Sequence, residues 1–252
     1  MLKKLIQSFF NSFGYQLNKV SSIPEIYSEK MLHIPNTFTM DYAIEQCKKR
    51  NIEITTVIDV GASDSRWSAE CMKYYPNAFY YLIEAQEPHR LALEAFKQKH
   101  SKVNYVLAAA GNKVGEIYFD NGGLFGGLAS DKPLEQNHIV VPVTTIDIEM
   151  AKHDLKAPYL IKLDTHGYEI PILEGAAETL KNANLVIIET YNFQIAKDSL
   201  RFWEMCAYME KLGFLPIDMV DFMHRKKDEA FWQMDTFFIR KERIEFSSNN
   251  YE

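Results

Sequence analysis

Val57-Ile-Asp-Val-Gly-Ala-Ser-Asp-Ser-Arg66 decides how the rest of the chain is read. The β-branched run Thr55–Val60 suits a strand buried on both faces, as in a parallel sheet. Asp59 and Val60 end it, Gly61 turns the chain, and a helix begins near Ser65. Such a turn aims backbone N–H groups at a ligand beyond the carboxyl end of the strand. Outward from it the pattern alternates strand and helix: Ser65–Tyr75 helix, Phe79–Glu84 strand, Pro88–His100 helix, Val103–Ala108 strand. A hairpin is expected at Gly115 into Glu116–Phe119, then a glycine-rich loop at Asn121–Gly127 and a strand at Val140–Thr145. Tyr159–Leu163 and Leu185–Thr190 read as strands around a helix at Ile170–Lys181. Asp198 is expected to cap a helix reaching Leu212, and Phe214–Val220 and Thr236–Arg240 complete the sheet. The alternation predicts a doubly wound, mostly parallel, Rossmann-like sheet with helices on both faces.

Of the glycines that a dinucleotide fingerprint needs, only Gly61 is present, and Ser63 and Ser65 hold a pyrophosphate at a distance. S-adenosylmethionine carries no phosphate and suits a looser turn bearing acids and hydroxyls. Glu84 ends the second strand 25 residues beyond Asp59, near the offset of the ribose-binding acid in nucleotide folds. The predicted donor site is therefore Asp59, Gly61, Ser63, Ser65, Glu84, Ala109 and Asp164.

Methyl transfer needs a nucleophile held in line with the methyl group, and a place for its proton. Asp164 and His166 follow the fourth strand and Glu189 ends the fifth, on the edge where a ligand sits. Asp164 and His166 are the catalytic candidates, with His166 as general base or as a side chain orienting its loop. A divalent metal such as Mg²⁺ is an alternative, with Asp164, Glu189 and Asn192 as hard oxygen ligands. Acids capping strands without metal explain the same spacing and are preferred. Tyr191, Asn192 and Phe193 are placed at the acceptor pocket, Glu169 in the first turn of its helix, and His89 and His138 receive no role.

Several motifs together resemble the FkbM family of methyltransferases. They are Val57–Ser63, Glu84, Val141-Pro-Val-Thr-Thr-Ile-Asp147, Ile161-Lys-Leu-Asp-Thr-His-Gly-Tyr-Glu-Ile-Pro-Ile-Leu-Glu-Gly-Ala176, and Met234-Asp-Thr-Phe-Phe-Ile-Arg240. The resemblance spans roughly residues 40–240. It implies a seven-stranded class I methyltransferase sheet with an antiparallel last strand, and mainly O-methylation, often of sugars in glycolipids, surface polysaccharides or secondary metabolites. Two positions depart from the family: Ser65 stands where glycine is common, and His166 where an acid or amide is common.

Three readings compete: an O-methyltransferase acting on a sugar, glycan or glycolipid-type acceptor, a non-catalytic S-adenosylmethionine-binding protein, and an NAD-dependent enzyme, the last disfavoured by the missing glycines. The chain has 252 residues, 47% of them hydrophobic and 25% charged, as in soluble globular proteins. A net charge of −6 argues against a nucleic-acid partner. Cys47, Cys71 and Cys206 form no CxxC pair and fit reduced thiols in the cytoplasm. No apolar run is long enough to span a membrane. Residues 1–38 are expected to form a helical extension and linker, 39–246 the methyltransferase domain, and 247–252 a disordered tail. The chain is read as starting at the mature N-terminus. Residues 1–20 carry a helical apolar stripe with Lys3, Lys4 and Lys19 that suits packing on the domain or on another subunit, with peripheral membrane contact as the alternative. Oligomer formation is left open.

Overall fold

Three helices begin or end the way their capping residues dictate. Thr39 accepts a hydrogen bond from the Tyr42 N–H and starts α1 (Met40–Lys49). Thr145 does the same for Ile148 at α4 (Ile146–Lys152), a helix absent from the sequence reading. At α7 (Phe202–Lys211) the Glu204 carboxylate accepts the Arg201 N–H at 2.8 Å, so Asp198 is not the cap. The computed structural model describes residues 37–120, 122–135 and 138–251. The expectations for residues 1–20 and for most of the linker lie outside this range.

Seven strands form the main sheet: β1 (Thr56–Val60), β2 (Phe79–Glu84), β3 (Val103–Leu107), β8 (Tyr159–Leu163), β9 (Ala183–Tyr191), β10 (Phe214–His224) and β11 (Phe231–Arg240). Their order is β10-β11-β9-β8-β1-β2-β3. Only β11 runs antiparallel to its neighbours, as the family resemblance implies. β1, β8 and most of β9 are buried along their length because helices cover both faces. On one face Ile58, Ile161 and Ile188 pack with α4, α7, α5 (Glu169–Glu174) and α6 (Ala177–Leu180). On the other, Val57, Leu160 and Ile187 pack with α1, α2 (Arg66–Cys71) and α3 (Arg90–Lys99). Each such side chain contributes about 1.5–3 kcal/mol of burial.

The hairpin expected at Gly115 does not form. After β3 the Ala108 N–H still bonds the Glu84 carbonyl, but the chain then leaves the main sheet. β4 (Ala109–Ala110), β5 (Gly115–Asp120), β6 (Ala129–Ser130) and β7 (His138–Thr144) make a second sheet, ordered β4-β7-β5-β6. The expected helix at Ile170–Lys181 is also broken. Asp147 caps a new start by accepting from the Glu178 and Thr179 N–H groups, and its own N–H bonds the Gly175 carbonyl between α5 and α6. Among the described residues no helix is long and apolar enough to cross a membrane.

Candidate active site

Gly61 makes the closest backbone approach in the molecule's functional edge. It has φ +77°, and a Cβ there would lie 2.1 Å from the Asp164 carbonyl oxygen, so only glycine fits between β1 and β8. The two serines that follow also bend the chain to the left, with Ser63 at φ 50° and Ser65 at φ 67°. That conformation explains why glycine suits position 65. Here the Ser65 hydroxyl donates instead to the Asp64 carbonyl at 2.5 Å.

The turn is tied to the end of β2 by Glu84. Its two carboxylate oxygens accept the Ser63 and Gln86 N–H groups, each at 2.7 Å. Burial raises its pKa, and these backbone bonds offset part of the rise. Glu84 faces a cavity of about 280 Å³ whose walls include Gly61, Ser63, Ala109 and Asp164. The walls also include Ile83 and Ile172, with the 122–127 loop along one side.

Two of the expected donor-site residues are elsewhere. Asp59 is fully buried and does not line this cavity. In the parallel register Asp59 faces Lys162, and both point into the layer under α2 rather than over the sheet edge. Its Oδ2 accepts from the Ser68 hydroxyl at 2.7 Å, and Oδ1 lies 3.7 Å from Lys162 Nζ. Ser65 is buried as well and likewise does not line the cavity. Both shape the turn from behind.

Lys162 also donates to Asp164 at 2.8 Å. Burial alone would lower the Lys162 pKa, but the Asp164 and Asp59 carboxylates more than reverse this and keep it charged. Burial alone would raise the Asp164 pKa, and Lys162 pulls it below the usual value.

His166 has φ 49°, a left-handed conformation that aspartate, asparagine and histidine tolerate better than most side chains. The turn holding it is anchored by Glu169, the buried first residue of α5, which accepts the Gly167 N–H at 2.8 Å and the Thr165 hydroxyl at 3.2 Å. His166 Nδ1 lies 2.9 Å from Glu189 Oε2 and 2.8 Å from the Tyr191 hydroxyl. In the neutral ring the Nδ1 proton faces Glu189 and Tyr191, and Nε2, 3.9 Å from an Asp164 oxygen, keeps its lone pair. Burial lowers the His166 pKa, but Glu189 raises it further, for a net upward shift.

Asp164, His166 and Glu189 bring ligand atoms within 4.8 Å of one another. The Asn192 side-chain amide donates to the Phe231 carbonyl at 3.2 Å. Tyr191 and Gln233 bond Glu189, and Lys162 holds one oxygen of Asp164. A cation here would share these carboxylates with donors already in place.

His166 also lines a second, more open cavity of about 690 Å³. Its floor is aromatic: Phe193 and Trp232 stack at 5.4 Å, and Tyr191 meets Trp232 edge-on at 5.7 Å. Arg225 covers Phe193 at 4.1 Å and pairs with Asp228. Trp232 was beyond reach in the sequence because the antiparallel return of β11 brings it to Tyr191. His89, too, has a partner: Nε2 lies 2.8 Å from the Leu124 carbonyl.

The strand order and the site at the carboxyl edge define a class I methyltransferase fold. The sequence matches the Methyltransferase FkbM domain over residues 59–216, more than half of the chain, and the protein belongs to that family. No curated protein matches it in sequence. Similar solved structures include an FkbM methyltransferase from Methylobacillus flagellatus KT, at 16% identity and TM-score 0.47 over 73% of this chain and 43% of that one. The chain thus spans less than half of that protein's length. The Methanococcus jannaschii fibrillarin pre-rRNA processing protein gives 14% identity and TM-score 0.48 over 76% of this chain and 69% of that one. Magnesium protoporphyrin IX methyltransferase from Synechocystis PCC 6803, with bound SAM, gives 10% identity and TM-score 0.44 over 94% and 96%.

Proposed function

We propose that this protein is an S-adenosylmethionine-dependent O-methyltransferase acting on a sugar, glycan or glycolipid-type hydroxyl. The observation that carries the reading is the place of His166 on the wall common to the two cavities, with Nδ1 bonded to Glu189. The smaller cavity suits the donor. Each Glu84 oxygen has one lone pair left beyond its backbone bond, enough for two ribose hydroxyls. Ala109, Ile83 and Ile172 offer apolar wall to a base, and Asp164 offers negative charge to a sulfonium. The turn after Gly61 carries Ser63 and Ser65 in place of the glycines that let a backbone approach a pyrophosphate, which disfavours NAD.

When bound, S-adenosylmethionine supplies a methyl group on positively charged sulfur. His166 Nε2 takes the acceptor hydroxyl proton as the new O–CH₃ bond forms and the S–CH₃ bond breaks, leaving S-adenosylhomocysteine. Glu189 orients the ring and stabilises the imidazolium that results. Trp232 and Phe193 supply the flat apolar surface on which a pyranose ring stacks, and the larger cavity is the acceptor site. The free cysteines are in keeping with a cytoplasmic enzyme.

Incubation with labelled donor and a set of nucleotide sugars and glycans, read by mass spectrometry, tests the reaction. Labelled product is expected. Donor binding by calorimetry without transfer to any acceptor would favour a non-catalytic binding protein, and binding of NAD instead would overturn the donor assignment.

A further inference from the structure

The loop at 122–127 walls the donor cavity with Leu124, Phe125, Gly126 and Gly127, yet Leu124 and Phe125 are 52% and 65% exposed. Packing from a core therefore does not hold it. Gly122 bonded to Asp120 and Gly127 against the Phe119 ring tie its ends, and three side chains hold its middle. The Leu124 carbonyl accepts from His89 Nε2 at 2.8 Å and from Gln86 Nε2 at 3.3 Å. The Phe125 ring lies 5.1 Å from the Arg66 guanidinium and 5.7 Å from the His89 ring. A carbonyl oxygen only accepts, so Nε2 of His89 carries the proton.

Gln86 lines the donor cavity itself, and Arg66 and His89 adjoin the turns that do. Arg66 opens α2 directly after the turn of Gly61 and Ser63. Gln86 gives its N–H to Glu84, and His89 Nε2 stands 3.5 Å from the Ser63 hydroxyl. A ligand pulling on Glu84 or Ser63 therefore acts on the groups that hold Leu124.

Beyond Leu124 lies Gly126, which lines both cavities as His166 does. Its φ is +114°, and a Cβ there would lie 3.6 Å from His166 Nε2. A methyl group would stand in van der Waals contact with the nitrogen, in the space where a hydroxyl must approach to about 2.6–3.2 Å.

We propose that Gly126 is the aperture through which the acceptor hydroxyl meets His166, and that His89 is a positioning residue that holds this aperture through the Leu124 carbonyl. The inference rests on the donor and acceptor cavities proposed above. It makes the loop the link between them: donor binding firms the loop, and the firm loop presents the aperture.

Calorimetry and hydrogen exchange with S-adenosylhomocysteine, together with turnover on the nucleotide sugars of the labelled-donor assay, test this. The product is expected to slow exchange across 122–127 by about tenfold in the wild type. His89→Leu is expected to lose that protection and about tenfold in kcat while its affinity for S-adenosylhomocysteine changes less than about threefold. His89→Gln, whose amide N–H can replace the bond to Leu124, is expected to restore both. Gly126→Ala, strained at φ +114°, is expected to keep affinity for S-adenosylhomocysteine within about threefold and lose about 100-fold in kcat/KM. Wild-type protection and kcat in His89→Leu, or wild-type kcat/KM in Gly126→Ala, overturns the proposal. Failure of the wild type to bind S-adenosylhomocysteine overturns the donor reading instead.

Discussion

Lys162 reaches 2.8 Å to Asp164 at the edge of the sheet and 3.7 Å to Asp59 beneath it, joining the active-site surface to the buried interior through one ammonium group. The Lys162 side chain is 4% exposed and Asp59 is fully buried, so Asp59 cannot exchange the ammonium for water, whereas the half-buried Asp164 can. Lys162→Met keeps the volume and removes the charge, leaving Asp59 buried with only the Ser68 bond. We expect a loss of about 3–5 kcal/mol in urea unfolding. Asp59→Asn in the same background should recover part of it. A single variant as stable as the wild type would show that the pair is unimportant for folding.

Glu84 has both a structural and a proposed ligand-binding task. Its oxygens hold Ser63 and Gln86, so Glu84→Ala strands two N–H groups as well as any ribose hydroxyls. Donor affinity measured by calorimetry should fall by about 1–3 kcal/mol. Glu84→Gln retains one accepting oxygen and should fall less. Equal affinity in all three proteins would remove Glu84 from the donor site.

The main sheet was legible because its strands announce themselves. Thr56–Val60 is β-branched except for Asp59, Gly61 ends it, and the same logic places Glu84 and Asp164 at the carboxyl edge. Sequence position gives the edge and not the face. Asp59 points with Lys162 into the layer below, a matter of strand register that one sequence does not reveal. The second sheet was hidden for a different reason: β4 and β6 have two residues each, too short for any periodicity. His89 looked idle since its partner is a backbone carbonyl 35 residues away, which no side-chain motif can signal.

Trp232 tests the acceptor cavity. Removing an aromatic ring from a stacking surface costs about 0.5–1.5 kcal/mol beyond lost area. Trp232→Ala should raise the acceptor KM by about three- to tenfold while S-adenosylhomocysteine affinity holds. Trp232→Phe, which keeps a flat ring, should lie close to the wild type. A rise in donor Kd with unchanged acceptor KM would place the acceptor elsewhere.

The pH dependence of turnover decides how His166 works. Below its pKa, Nε2 is protonated and cannot take the hydroxyl proton, so the rate should fall as the pH falls through that value. Glu189 outweighs burial and shifts the value up from 6.5, so the acid limb should inflect above 6.5. Glu189→Gln removes the carboxylate charge and should move the limb to lower pH. The same upward shift has a consequence for stability: the imidazolium–Glu189 pair contributes fully below the pKa of the unfolded histidine and is lost as pH rises through the folded one. His166→Ala should abolish the limb and cut kcat by about 10²–10⁴-fold with donor affinity nearly unchanged. Chelator should leave the wild-type rate intact, since a histidine base needs no cation to take the proton. Activity lost to chelator and restored by Mg²⁺, with a small effect of His166→Ala, would replace the histidine base by a metal at Asp164 and Glu189. Indifference to both treatments would leave proximity in the joined cavities as the source of the rate.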